Sequence, residues 1–286
     1  MKLMSKRWLI NYVLITLIIL FTFIGNRYNV ETGYQPENRI TSLKLQDINR
    51  ITIQTADDNI SLSRAAGQWQ IEAPIQWLAN NITIERILGI ATSETDSRLS
   101  ADEIDLATIG LQFPKAILTL NDTRILFGAS NNIGNRRYLL INSTVYLLSD
   151  IHLPFITNGI YGLIDQRLLP RALALSSLKL GALELSRTTN GGWQDSGSAS
   201  TPDQLNTLIG NWQTLQASQI RPFQKASAPR QKITAELENG IHIEFFLMSI
   251  KPDIIIARPD LGLQYHFNKN HYYDLLAVGK DEVSEN

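Results

Sequence analysis

Ser176-Ser177-Leu178-Lys179 matches the S-x-x-K pattern, in which a lysine amine activates a serine hydroxyl for acyl transfer. The same tetrapeptide enters an alternating, strand-like stretch, and its echo earlier in the chain reads Thr41-Ser42-Leu43-Lys44. A pattern repeated with its nucleophile changed to threonine is structural, and no G-x-S-x-G occurs. The histidines His152, His242, His266 and His271 fall in neither H-x-x-x-H nor H-E-x-x-H spacing. His242 alternates with Ile241 and Ile243, as a solvated strand histidine does. His266 and His271 flank a turn and can approach each other, but a metal needs further ligands. Asp102, Glu103 and Asp105 supply paired carboxylates of the kind used for acid–base work. Before Leu106 they read instead as a helix start, where the dipole favours acids. Arg136 and Arg137 follow the Asn/Gly-rich residues 130–135; such a pair can hold an anion, but the simpler reading is a strand edge. Trp69 and Trp193 read as core anchors. No residue is therefore assigned a catalytic, cofactor-binding or metal-ligating role, no cofactor is expected, and the chain is read as a non-enzyme.

What these residues are mounted on starts with residues 8–24, WLINYVLITLIILFTFI, a run without a charged residue. At about 1.5 Å per residue it covers roughly 26 Å, close to the thickness of a hydrocarbon core of about 30 Å. Lys2, Lys6 and Arg7 precede it and only Arg27 follows closely. The positive-inside bias puts the N-terminus in the cytoplasm and the body outside. Small residues suited to signal-peptide cleavage do not follow the run, so an uncleaved signal-anchor is expected.

Composition bounds the rest. Cysteine is absent, which excludes disulfides, thiolate metal sites and cysteine nucleophiles; an exported body without disulfides points to a bacterial periplasm. Four of the 26 Lys and Arg lie up to Arg27 and no acid precedes Glu31, so the body carries 22 basic against 27 acidic residues, net −5. That is no footprint for nucleic acid. The Asn-x-Ser/Thr triplets at Asn59, Asn81, Asn121 and Asn142 are chance in a chain rich in asparagine.

The element pattern then repeats. Alternating runs predict strands from Ser42 to Thr55 and from Ile60 to Arg64, followed by Trp69-Gln70-Ile71. Asn80-Asn81 precedes an apolar stripe at Ile84, Ile87, Leu88 and Ala91, the spacing of a helix face. Residues 100–111 predict a short helical turn ending at Gly110. Four strands follow, with turns at Asn121-Asp122 and Asn142-Ser143. Asp150 is expected to cap a short helix through Ile156. The second half brings strands around Ser177 and Ser186, Gly192-Trp193-Gln194, and a capping box at Thr201-Pro202-Asp203-Gln204. Behind it Leu205, Leu208, Ile209 and Trp212 form another helical stripe. A hairpin at Asn239-Gly240, a last strand pair and a helix over residues 270–277 follow. The order β-β-(Trp)-α-β-β-β-β-α appears twice, which predicts an α+β fold of two tandem, duplicated modules, each with an antiparallel sheet and packed helices. The expected organisation is a tail and transmembrane signal-anchor over 1–28, a tether over 29–40, modules over 41–170 and 171–278, and a frayed tail over 279–286.

With the apolar run, Ile40 to Leu43, Gly67-x-Trp69, Ile109-Gly110-Leu111, Phe127-Gly128, Arg137-Tyr138 and Asp165-x-Arg167-Leu168-Leu169, the chain resembles the bacterial family of domain of unknown function 4340. The resemblance covers nearly the whole chain. It implies a membrane-anchored, extracytoplasmic protein without an assigned activity. Some members look like parts of ABC-type systems of the gliding-motility kind, where a similar domain accompanies a permease. With one membrane segment and no nucleotide-binding motif, this chain is expected to be an accessory or interaction module with a membrane or envelope protein partner. The alternatives are a periplasmic hydrolase and a sensor that binds a small ligand between the modules.

Overall fold

Alternating apolar side chains drive the described part of the chain into strands. The computed structural model describes residues 38–131, 134–171, 173–197, 200–225 and 228–278. The expected anchor, most of the tether and the expected frayed tail lie outside them. In chain order come β1 (Arg50–Gln54), β2 (Asn59–Ala65), β3 (Gln68–Ala73), β4 (Trp77–Leu78), helix α1 (Asn81–Leu88), β5 (Arg98–Ser100), β6 (Ala116–Leu120), β7 (Thr123–Asn131), β8 (Arg136–Ile141), β9 (Thr144–Ser149) and α2 (Leu153–Ile156). Then follow β10 (Leu175–Leu180), β11 (Leu183–Arg187), β12 (Trp193–Asp195), α3 (Pro202–Thr214), β13 (Gln219–Pro222), β14 (Gln231–Leu237), β15 (His242–Ser249), β16 (Asp253–Arg258), β17 (Leu263–Asn268) and α4 (Tyr272–Leu275).

These strands make two antiparallel sheets, accompanied by a few helices. The first runs β4-β3-β2-β1-β6-β7-β8-β9-β5 and the second β12-β11-β10-β14-β15-β16-β17-β13. Apart from β4, the two sheets order their strands identically. In each, three strands precede a helix, a short strand after the helix pairs with the far edge, and four strands fill the middle. Those short strands, β5 and β13, are absent from the sequence expectation. Arg-Leu-Ser and Gln-Ile-Arg-Pro are too short to show a period of two.

The hairpins form where turn residues allow a positive φ. Asn121, Asn142 and Gly240 take φ of 51°, 52° and 81° at the β6–β7, β8–β9 and β14–β15 turns. Gly67 and Gly191, at 80° and 82°, occupy matching turns before Trp69 and Trp193. The matching glycine is thus Gly191 rather than Gly192. Trp69 is buried, whereas Trp193 is only half-buried. The other echo does not hold position: Ser177 to Leu180 lies within β10, but Ser42 to Leu45 precedes β1 in coil and the start of a 3-10 turn at Leu45–Asp47.

Helix ends follow their caps. The Asn80 side chain accepts from the backbone N–H of Ile82 and Thr83 at the start of α1. Thr201 and Gln204 form the reciprocal capping box that opens α3. Asp150 does not cap α2, whose N-cap position is His152; it pairs with Arg137 instead. The expected helical turn at residues 100–111 reduces to a 3-10 turn at Ala101–Glu103 and a loop that closes at Gly110.

The apolar stripe of α1 and that of α3 are both buried, and Trp212 meets Phe245 edge-to-face with ring centres 5.5 Å apart. Buried side chains from both sheets join in one continuous core, from Ile40 to Leu275. A satellite cluster of Ile109, Leu111 and Val145 lies apart from it. The described residues from Ile40 to Val278 pack as one compact unit.

Candidate functional site

Segment 163–171 crosses between the two sheets and is bonded to both. On one side Asn80 N–H donates to the Leu163 carbonyl over 2.7 Å, and Asp165 N–H to Leu78 over 2.9 Å. On the other, Ala217 N–H donates to the Gln166 carbonyl over 2.8 Å, and Arg167 bridges Gln216. The Asp165 carboxylate holds this crossing in shape. It accepts from the Arg167 backbone N–H and from Nε, both at 3.1 Å, and from Nη2 at 3.2 Å. Arg171 Nε adds a partner at 3.6 Å. Asp165 and Arg167 are both buried, and Leu168 and Leu169 behind them fill the core. Arg258 of β16 reaches the same region. Its Nε and Nη2 donate to Asp260, its guanidinium carbon lies 4.2 Å from the centre of the Trp77 ring, and the Phe245 ring is 5.5 Å away.

Other residues that carry the resemblance lock the first sheet. The Ile109 carbonyl accepts from Ala129 N–H over 2.8 Å, drawing the loop onto β7. A Cβ on Gly128 would stand 2.5 Å from that carbonyl, so only glycine fits there. Arg137 is buried and directs all three guanidinium nitrogens inward: Nη1 to the Gly128 carbonyl, Nε and Nη2 to Asp150. It therefore braces the irregular β7–β8 pairing rather than offering an anion site. Arg136 is exposed, and its Nη1 lies 3.4 Å from Ser97 Oγ.

The remaining sequence candidates do not converge. The Ser176 hydroxyl donates to the Glu236 carbonyl, Ser177 to the Glu236 carboxylate over 3.2 Å, and Lys179 pairs with Glu184. Ser177, Lys179, Glu184, Gln194, Glu236 and His242 line an open polar cleft of about 400 Å³ on the second sheet. His242 is exposed, 3.8 Å from Glu236. Asp105 closes its own turn through the Thr108 hydroxyl and then Ala107 N–H, which hold its carboxyl below the usual range. His271 pairs with Asp274 and His266 with Gln264, not with each other. Among the described residues no group of three or more His, Asp or Glu is placed to hold a metal ion.

His152 is buried beside α1. Its Nδ1 is 3.2 Å from the Arg86 carbonyl and its Nε2 3.2 Å from Ser93 Oγ. Burial pushes its pKa below 6.5, against the raising effects of the Arg86 carbonyl and the Asp150 charge. Burial, then the Arg221 charge, do the same to His266. A depressed folded-state pKa means that the unfolded chain takes up more protons below about 6.5, so stability rises with pH through this window. Urea midpoints are expected to fall between pH 7.5 and 5.5, and the fall to flatten in a His152→Gln, His266→Gln double variant; an unchanged slope would count against this.

Asp165→Asn leaves Arg167 buried without its counter-charge, and a loss of about 3–5 kcal/mol is expected. Asp165→Asn with Arg167→Met should recover much of it. A urea titration of the unaltered chain and the two variants checks both points, and a loss below about 1 kcal/mol would assign the pair no more than a surface ion pair's weight.

The sequence named Asp165 and Arg167 only through a family resemblance, and passed over Trp77, Arg258 and Tyr265. Their one sequence signal is weak: an arginine ending a strand with an apolar middle, Asp-Ile-Ile-Ile-Ala-Arg. No curated protein and no solved structure matches the chain. The family model described as Domain of unknown function (DUF4340) matches residues 69–235, more than half of the chain, and the protein belongs to that family.

Proposed function

We propose that this protein is a single-pass inner-membrane protein whose periplasmic body serves as a non-enzymatic interaction module, accessory to an ABC-type transporter or another envelope complex. The observation that carries this reading is the uncharged run of residues 8–24 behind Lys2, Lys6 and Arg7. Among the described residues no helix is long and apolar enough to cross a membrane, and the run lies outside them. The body would be two modules, residues 41–170 and 171–278, descended from one unit. The shared order of eight strands in the two sheets supports that descent. Structural contacts engage Ser176, Arg137, His152 and Asp105, which supports a binding rather than a catalytic role. A hydrolase or small-ligand sensor is the second reading; the polar cleft beside Ser177 and Glu236 favours it.

The test is topology followed by capture. With a tag after Asn286, the full chain should stay in membranes through carbonate extraction, and the tag should be cleaved by protease added to spheroplasts. Mild-detergent purification should then bring a stoichiometric envelope or permease protein, lost when residues 1–28 are removed. A chain released by carbonate, or a tag shielded in intact spheroplasts, would contradict the anchored topology. A chain that purifies alone under crosslinking would contradict the accessory role.

A further inference from the structure

We draw no further inference here: the strongest candidate, the open groove of about 320 Å³ between α3 and α4 that Tyr273 lines together with Asp203 and Asp274, carries nothing because nothing in the structure shows what covers it.

Discussion

A carboxylate buried between arginines is the constraint on which the rest depends. Asp165 accepts from the backbone and side chain of Arg167 and draws in Arg171, and this fixes the course of a segment that bonds to both sheets. Buried ion pairs add little to stability by themselves, because desolvation cancels most of the attraction. Their effect is on shape. Breaking such a pair costs several kcal/mol, a large part of a domain's usual 5–15, so the chain has few affordable alternatives to this crossing.

The crossing also deals with sheet edges. An exposed edge strand is an invitation to pair with another chain. The first sheet ends at β4, and residues 163–165 pair alongside it; the residues just before β13 pair with Gln166 and Arg167. The edges left over, β5 and β12, are three residues each. Short edges offer few unpaired groups. Two sheets of one topology are thus closed against each other by a single strip of chain, and their buried faces merge into one core.

Local chemistry was legible and long-range chemistry was not. The turns at Asn121, Asn142 and Gly240 could be read because few residues tolerate a positive φ. The capping box at Thr201 could be read because both partners lie within one turn. The strand β5 could not, since Arg98 to Ser100 carries no alternation. Asp150 was misread because an acid before a helix has two uses, a cap or an ion pair, and its partner Arg137 sits across a hairpin. The crossing joins Trp77, Asp165, Arg258 and Tyr265 from four distant stretches, and only the fold brings them together. In the Ser-x-x-Lys pattern Lys179 is tied to Glu184, and the Ser176 hydroxyl faces a carbonyl.

If the crossing makes one body of two sheets, they must open together. Native-state hydrogen exchange of the full chain in rising urea reads this directly, comparing amides of β6 and β7 with those of β14 and β15. The account requires the two sets to converge on one opening free energy and one urea dependence. Separate openings, with one sheet exchanging while the other stays protected, would show two independent domains joined by a passive linker and would contradict it.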